Sequence, residues 1–137
     1  FMDNGYTKEE MKMCWETRKI FGDENIDVSA TCVRVPVFFG HSEAIQVETS
    51  EYIDEEEARS LLKRAEGVTV IDERRDGGYP TAVHESAGSD PVFVGRIRQD
   101  ISLKNGLSLW VVSDNVRKGA ALNSIQIAEE LIKVHLK

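Results

Sequence analysis

Four groups of residues have types and spacings that could do chemistry. The first is His41, which follows Gly40 at the end of the apolar run "TCVRVPVFFGHSE". A histidine ordinarily titrates near neutral pH, which suits it to give and take protons. The glycine before it allows a tight turn or the close approach of a ligand. The second is Arg34, seven residues upstream in the same run. A guanidinium inside a buried strand must meet an anion, because an unpaired buried charge is very costly. That anion is either an internal carboxylate, Glu43 or Glu48, or the carboxylate of a substrate, which the planar fork of arginine grips at two points. The third group is Glu9 with Lys12. Three residues apart on a helix, they project from one side, either as a solvated ion pair or as part of a binding site. The fourth is "SDNVRKGAA", beginning at Ser113. There Asp114 or Asn115 can cap a helix, and Gly119 with two alanines allows close packing of a neighbouring helix or a cofactor.

The elements that must position these groups follow from periodicity. Thr7 and Glu10 have the spacing of a capping box. The helix they begin is expected to reach Ile20 and stop at Gly22, with Met11, Cys14, Trp15 and Arg18 on one largely apolar face. "VSATCVRVPVFF" reads as a strand in which Pro36 marks an edge, a bulge or an end. "SEAIQVETS" alternates like a half-buried strand, joined to the first by a hairpin or bent connection across residues 39–42. Asp54 caps a second helix that ends at Gly67, with acids in its first turn and bases late. "VTVID", "PVFVGRIRQDI" and "LSLWVVSD" read as strands, the last two joined by a turn around Lys104, Asn105 and Gly106. Residues 73–90 are rich in turn formers. A long amphipathic helix is expected from Asn115 to the end, with Leu122, Ile125, Ala128, Glu129 and Ile132 setting its period. Strands outnumber helices and their joins are short. The expected fold is α+β, a mixed and largely antiparallel sheet with helices on one face.

Length and composition set the bounds. The 137 residues suit one domain with a core. An apolar fraction of 41% and a charged fraction of 30% argue against disorder. The net charge of −7, from 17 basic and 24 acidic residues, speaks against a nucleic acid partner. No run approaches the roughly 18 apolar residues that span a bilayer. No membrane partner and no signal peptide are expected, and a cytoplasmic location is. Cys14 and Cys32 do not make a disulfide framework. Both stand among apolar residues and read as buried small hydrophobes. No second Cys or His lies at ligand spacing from either, so no metal is expected. Neither a GxGxxG nor a P-loop is present. The opening "FMDNGYTKEE", with Phe ahead of the first Met, reads as the interior of a longer polypeptide or the remnant of a tag.

Four blocks occur in order over nearly the whole chain: "YTKEEMKMCWETRKI", "VSATCVRVPVFFGHSEAIQVET", "FVGRIRQD" and "LWVVSDNVRKGAALNSIQIAEELI". Together they closely resemble the C-terminal part of bacterial aspartate-β-semialdehyde dehydrogenase. The branch resembled is that of Gram-positive and many other bacteria, not the enterobacterial one. The resemblance implies a catalytic and dimerisation domain similar to the C-terminal domain of glyceraldehyde-3-phosphate dehydrogenase, assembled as a homodimer. It implies reduction of L-4-aspartyl phosphate to L-aspartate 4-semialdehyde with NADPH, at the branch point to lysine, methionine, threonine and isoleucine. By the same resemblance His41 is the acid/base, and Arg34 holds the substrate carboxylate. Glu9 stands near the substrate amino group, Lys12 at the phosphate site and Asn115 near the nicotinamide.

The family's nucleophilic cysteine and its NADP-binding Rossmann domain have no counterpart in residues 1–137. Cys32 lies within the strand reading, where the family has no nucleophile, and Cys14 is no better placed. The chain alone is therefore expected to be inactive, with the apolar face of its last helix partly exposed or differently partnered. Two other readings stand beside this one. One is a related acyl-phosphate reductase, such as N-acetyl-glutamyl-phosphate reductase. The other is a non-catalytic dimerisation or regulatory module.

Overall fold

The computed structural model describes residues 1–135, and the chain divides into two compact units, Phe1–Pro36 and Val37–Lys137. In the first unit, helix α1 (Lys8–Phe21) begins as its spacing requires. Thr7 Oγ1 accepts from the Glu10 N–H at 3.2 Å, and Glu10 Oε2 accepts from the Thr7 N–H at 2.7 Å. This reciprocal cap satisfies two donors that the helix start leaves open. At the other end Gly22 adopts the left-handed conformation, φ 66°, and its N–H donates to the Arg18 carbonyl.

The chain then runs back along α1. Arg18 Nε donates to the Ile26 carbonyl at 2.8 Å, the Cys14 thiol to the Val28 carbonyl at 3.3 Å, and the Cys32 N–H to Glu10 Oε1 at 2.9 Å. Glu10 is buried between these donors. The Thr7 N–H, and then that of Cys32, hold its carboxyl below the usual range. Cys14 is buried as expected, but Cys32 is exposed, and neither forms a disulfide.

The expected strand "VSATCVRVPVFF" does not form. A β-rich composition makes a strand only where a partner ladder is present, and Pro36 offers no N–H to one. Val33 and Phe38 are accordingly exposed. Arg34 is exposed too, so the buried guanidinium expected from the strand reading is corrected. The hairpin across residues 39–42 is absent for the same reason. The strand that follows pairs instead with one far along the chain.

In the second unit the order is β1 (His41–Glu48), α2 (Glu55–Arg64), β2 (Val68–Val70), β3 (Val92–Gln99), β4 (Gly106–Ser113) and α3 (Leu122–His135). Two π-helical turns, Ala82–Ser86 and Arg117–Ala121, lie between them. The sheet order is β1-β4-β3-β2. Strand β4 is antiparallel to both β1 and β3, and β2 is parallel to β3. The sheet is therefore mixed and largely antiparallel, as expected.

Asp54 caps α2 through the Glu57 N–H. The helix packs Ala58 and Leu62 against Val94, Ile97, Leu107, Leu109 and Val111. Alternation along the strands turns Phe93 and Val112 to the opposite face, and the two are register partners, both buried. Trp110 is on that face as well, and its indole N–H donates to the Pro80 carbonyl at 2.9 Å.

Strand β3 carries a bulge between Gly95 and Arg98, with Arg96 at φ 54°. Ile97 lies within the bulge, off the ladder. Its N–H donates to Asp72 Oδ1 at 3.3 Å and its carbonyl accepts from Arg59 Nη2 at 3.4 Å. Arg59 and Asp72 bond each other at 2.7 and 2.9 Å and are nearly buried. One ion pair thus satisfies both backbone groups of Ile97, which the bulge frees.

The last helix starts later than expected. Residues 117–121 form a π-helical turn, and α3 proper begins at Leu122. No α3 residue is buried, and Ile125 and Ile132 are more than half exposed. Residues 136–137, the end of the expected helix, lie outside the described residues. No described helix is long and apolar enough to cross a membrane.

A Cβ at Gly95 would overlap the Ile71 carbonyl oxygen and stand 2.6 Å from Pro80 Cδ. Gly95→Ala is expected to cost on the order of 3 kcal/mol in urea denaturation, as overpacking against fixed backbone does. At Gly119 a Cβ meets nothing closer than Asn115 Cβ, at 3.9 Å. Gly119→Ala is expected to be neutral or to stabilise by up to about 1 kcal/mol.

Candidate functional site

His41 opens β1, and across the ladder stands Ser113, which closes β4. The residue before it, Gly40, has φ 89° and donates its N–H to Asn115 Oδ1 at 3.1 Å. Because a backbone N–H can only donate, the oxygen end of the amide must face it. The Asn115 Nδ2 has no protein partner among the described residues.

A Cβ at Gly40 would lie 3.0 Å from Ser86 Oγ and 3.1 Å from Ala82 Cβ. Only glycine suits both this conformation and this space. Ser86 is fully buried and donates to the Ala82 carbonyl at 2.9 Å. The floor beneath Gly40 is therefore itself fixed.

Asp114 supplies the second anchor. It is buried, and its carboxylate accepts from Gly88 N–H at 2.8 Å, Val116 N–H at 2.9 Å and Arg117 N–H at 3.1 Å. The Gly88 N–H is the first cause that keeps its carboxyl below the ordinary range. Arg117 Nε also donates to Asp90 at 2.6 Å. The segment that carries Ala82, Ser86 and Gly88 is thus tied to the turn that carries Asn115. A cap at Asp114 is legible in the sequence. Its bond to Gly88 is not, because that partner is 26 residues away.

The structure brings His41 and Asn115 together and leaves the imidazole exposed. In the first unit α1 brings Glu9 and Lys12 together, Oε1 to Nζ 3.5 Å, with Glu9 exposed and Lys12 half-buried. By itself such a pair is worth a few tenths of a kcal/mol. Arg34 forms no ion pair or hydrogen bond among the described residues. Glu9, Lys12 and Arg34 belong to one unit, and His41 and Asn115 to the other. No cluster of three or more His, Cys, Asp or Glu side chains suited to a metal occurs among the described residues. An open concavity of about 380 Å³ is lined by α3 residues between Asn123 and His135, and His41 is not among them.

Residues 1–118 match the family model described as semialdehyde dehydrogenase, dimerisation domain. The chain belongs to this family. It is 63% identical over 133 residues to an aspartate-semialdehyde dehydrogenase of Shewanella sp. (strain DB6705), covering 97% of this chain and 39% of that protein. The crystal structure of aspartate semialdehyde dehydrogenase II from Vibrio cholerae, complexed with ASA, superposes with a TM-score of 0.93 at 55% identity. It covers 98% of this chain and 39% of its own. A Candida albicans aspartate semialdehyde dehydrogenase solved with NADP superposes with a TM-score of 0.74 at 30% identity, covering 92% and 43%. The chain thus spans about two fifths of the length of these semialdehyde dehydrogenases, and its mixed α+β sheet is the fold they share over that part.

Asp114 and Glu10 both have folded-state pKa values below those of a free carboxyl. Their stabilisation is complete above the ordinary range near pH 4 and is lost as pH falls through the lower folded values. The melting temperature of the native chain is expected to be flat from about pH 6 to about pH 5 and to fall below about pH 4. Asp114→Asn should melt lower at pH 6 and decline less steeply in acid, as calorimetry across that range would show.

Proposed function

We propose that this chain is the substrate-binding and dimerisation domain of an aspartate-semialdehyde dehydrogenase. The whole enzyme would reduce L-4-aspartyl phosphate to L-aspartate 4-semialdehyde with NADPH and release phosphate. One observation carries the reading furthest within this family. His41 presents an exposed imidazole from a backbone held on one side by Ser113 and, through Gly40, by Asn115. An exposed side chain on a fixed backbone suits a group that must meet a substrate in one geometry.

In this reading His41 is the acid/base. It takes the proton of the attacking thiol, protonates the substrate oxygen once hydride has been added, and removes that proton again as the C–S bond breaks, the thiolate leaves and the aldehyde forms. Arg34, with no protein anion to hold it, offers a bidentate fork for the substrate carboxylate. Glu9 would meet the substrate ammonium and Lys12 the phosphate, their mutual pairing on α1 giving way to ligand charges.

Asn115 fits a nicotinamide, because its unengaged Nδ2 can donate to an amide carbonyl. Bound NADPH supplies the hydride. The chain has no Gly-rich phosphate loop, so the rest of the nucleotide and the thiolate would come from an N-terminal Rossmann domain of the same enzyme. Two copies would pair through this domain as an isologous dimer, and a cytoplasmic setting suits the reading.

The test joins the chain to that N-terminal part and measures phosphate-dependent reduction of NADP by aspartate semialdehyde. His41→Ala is expected to lower kcat by roughly 10²-fold or more. Arg34→Lys, which loses the planar fork, should raise KM for the semialdehyde by about tenfold. No turnover by a folded native dimer would sink the substrate assignment.

A further inference from the structure

The His41 imidazole makes no hydrogen bond to any described residue, so no carboxylate or carbonyl orients the ring. Its placement must therefore come from the backbone. Gly40 is the means, and it is held on two sides. Ser86 and Ala82 close the space on one side, and Asn115 Oδ1 takes its N–H on the other. Residues 113 and 115 act as a pair. Ser113 holds His41 across the ladder, and Asn115 holds Gly40 with its side chain. Asp114, between them, is immobilised by three backbone N–H groups, so the turn that carries Asn115 cannot drift.

We infer that Asn115 is a positioning residue for His41, clamping the Gly40 peptide through Oδ1 while its Nδ2 remains available to a ligand carbonyl. The inference rests on His41 being the acid/base of the proposed dehydrogenase. An amide can accept at one end and donate at the other. Aspartate keeps an acceptor for Gly40 but has no outward donor, and alanine has neither. The two substitutions therefore separate positioning from ligand contact.

Hydrogen exchange at the Gly40 amide reads the clamp directly in the 137-residue chain. Protection should persist in Asn115→Asp and fall about tenfold in Asn115→Ala, the loss of one net hydrogen bond. In the enzyme joined to its N-terminal part, Asn115→Ala should lower kcat by about 10- to 100-fold, with KM for the semialdehyde within about twofold. Asn115→Asp should raise KM for NADP and lower kcat less than Asn115→Ala does.

Unchanged Gly40 exchange in Asn115→Ala would overturn the inference. So would equal effects of both variants confined to KM for NADP, which would make Asn115 a ligand contact alone. Native activity in His41→Ala would instead remove the functional reading. Gly40 exchange reports on the clamp whatever that activity proves to be, so the two failures are distinguishable.

Discussion

The buried carboxylate of Asp114 is the tie on which the neighbourhood of His41 depends. Three backbone N–H groups converge on it from two segments far apart in sequence. A buried carboxylate without donors would be strongly destabilising. With three, it is a fixed point that neither segment can leave without exposing an unmet charge. On one side it secures the loop whose π-helical turn floors Gly40, and on the other the turn that presents Asn115. The imidazole is exposed above this fixed backbone.

The ion pair of Arg59 and Asp72 solves a related problem in the sheet. The β3 bulge takes Ile97 out of the ladder, and its N–H and carbonyl need partners in a place water scarcely reaches. The two side chains serve both backbone groups while neutralising each other. Replacing one partner would leave a buried charge and an orphaned backbone group together. Both ties follow one rule: backbone polar groups freed by an irregularity are met by a charged side chain from a distant element.

The helices differ in how they are held. Helix α2 buries Ala58 and Leu62 against the sheet, so its amphipathic pattern is used within the second unit. Helix α3 has a comparable apolar period but no buried residue. Between β4 and α3 the chain makes a π-helical turn that begins at Arg117, the last residue whose N–H Asp114 accepts. That cap sets where the chain leaves the sheet, and so where Asn115 stands.

Local chemistry alone determined a good deal. The Thr7–Glu10 capping box, the stop at Gly22, the Asp54 cap and the hairpin of β3 and β4 are short-range matters, decided by residues within a few positions of one another. His41 after Gly40, and Asn115 after Asp114, could be singled out by residue type, and family resemblance joined them to one reaction. The tertiary structure alone decided what depends on distant partners. The run from Val28 to Phe39 has β-forming residues but no ladder, so it stays extended and Arg34 stays exposed. The opposite held for β1, whose partner β4 lies some sixty residues away and turned an expected hairpin arm into a sheet edge. The bonds from Gly88 to Asp114 and from Gly40 to Asn115 also span long separations. Sequence pattern reports what a residue prefers, but which donor reaches which acceptor is settled only when the chain has folded back on itself.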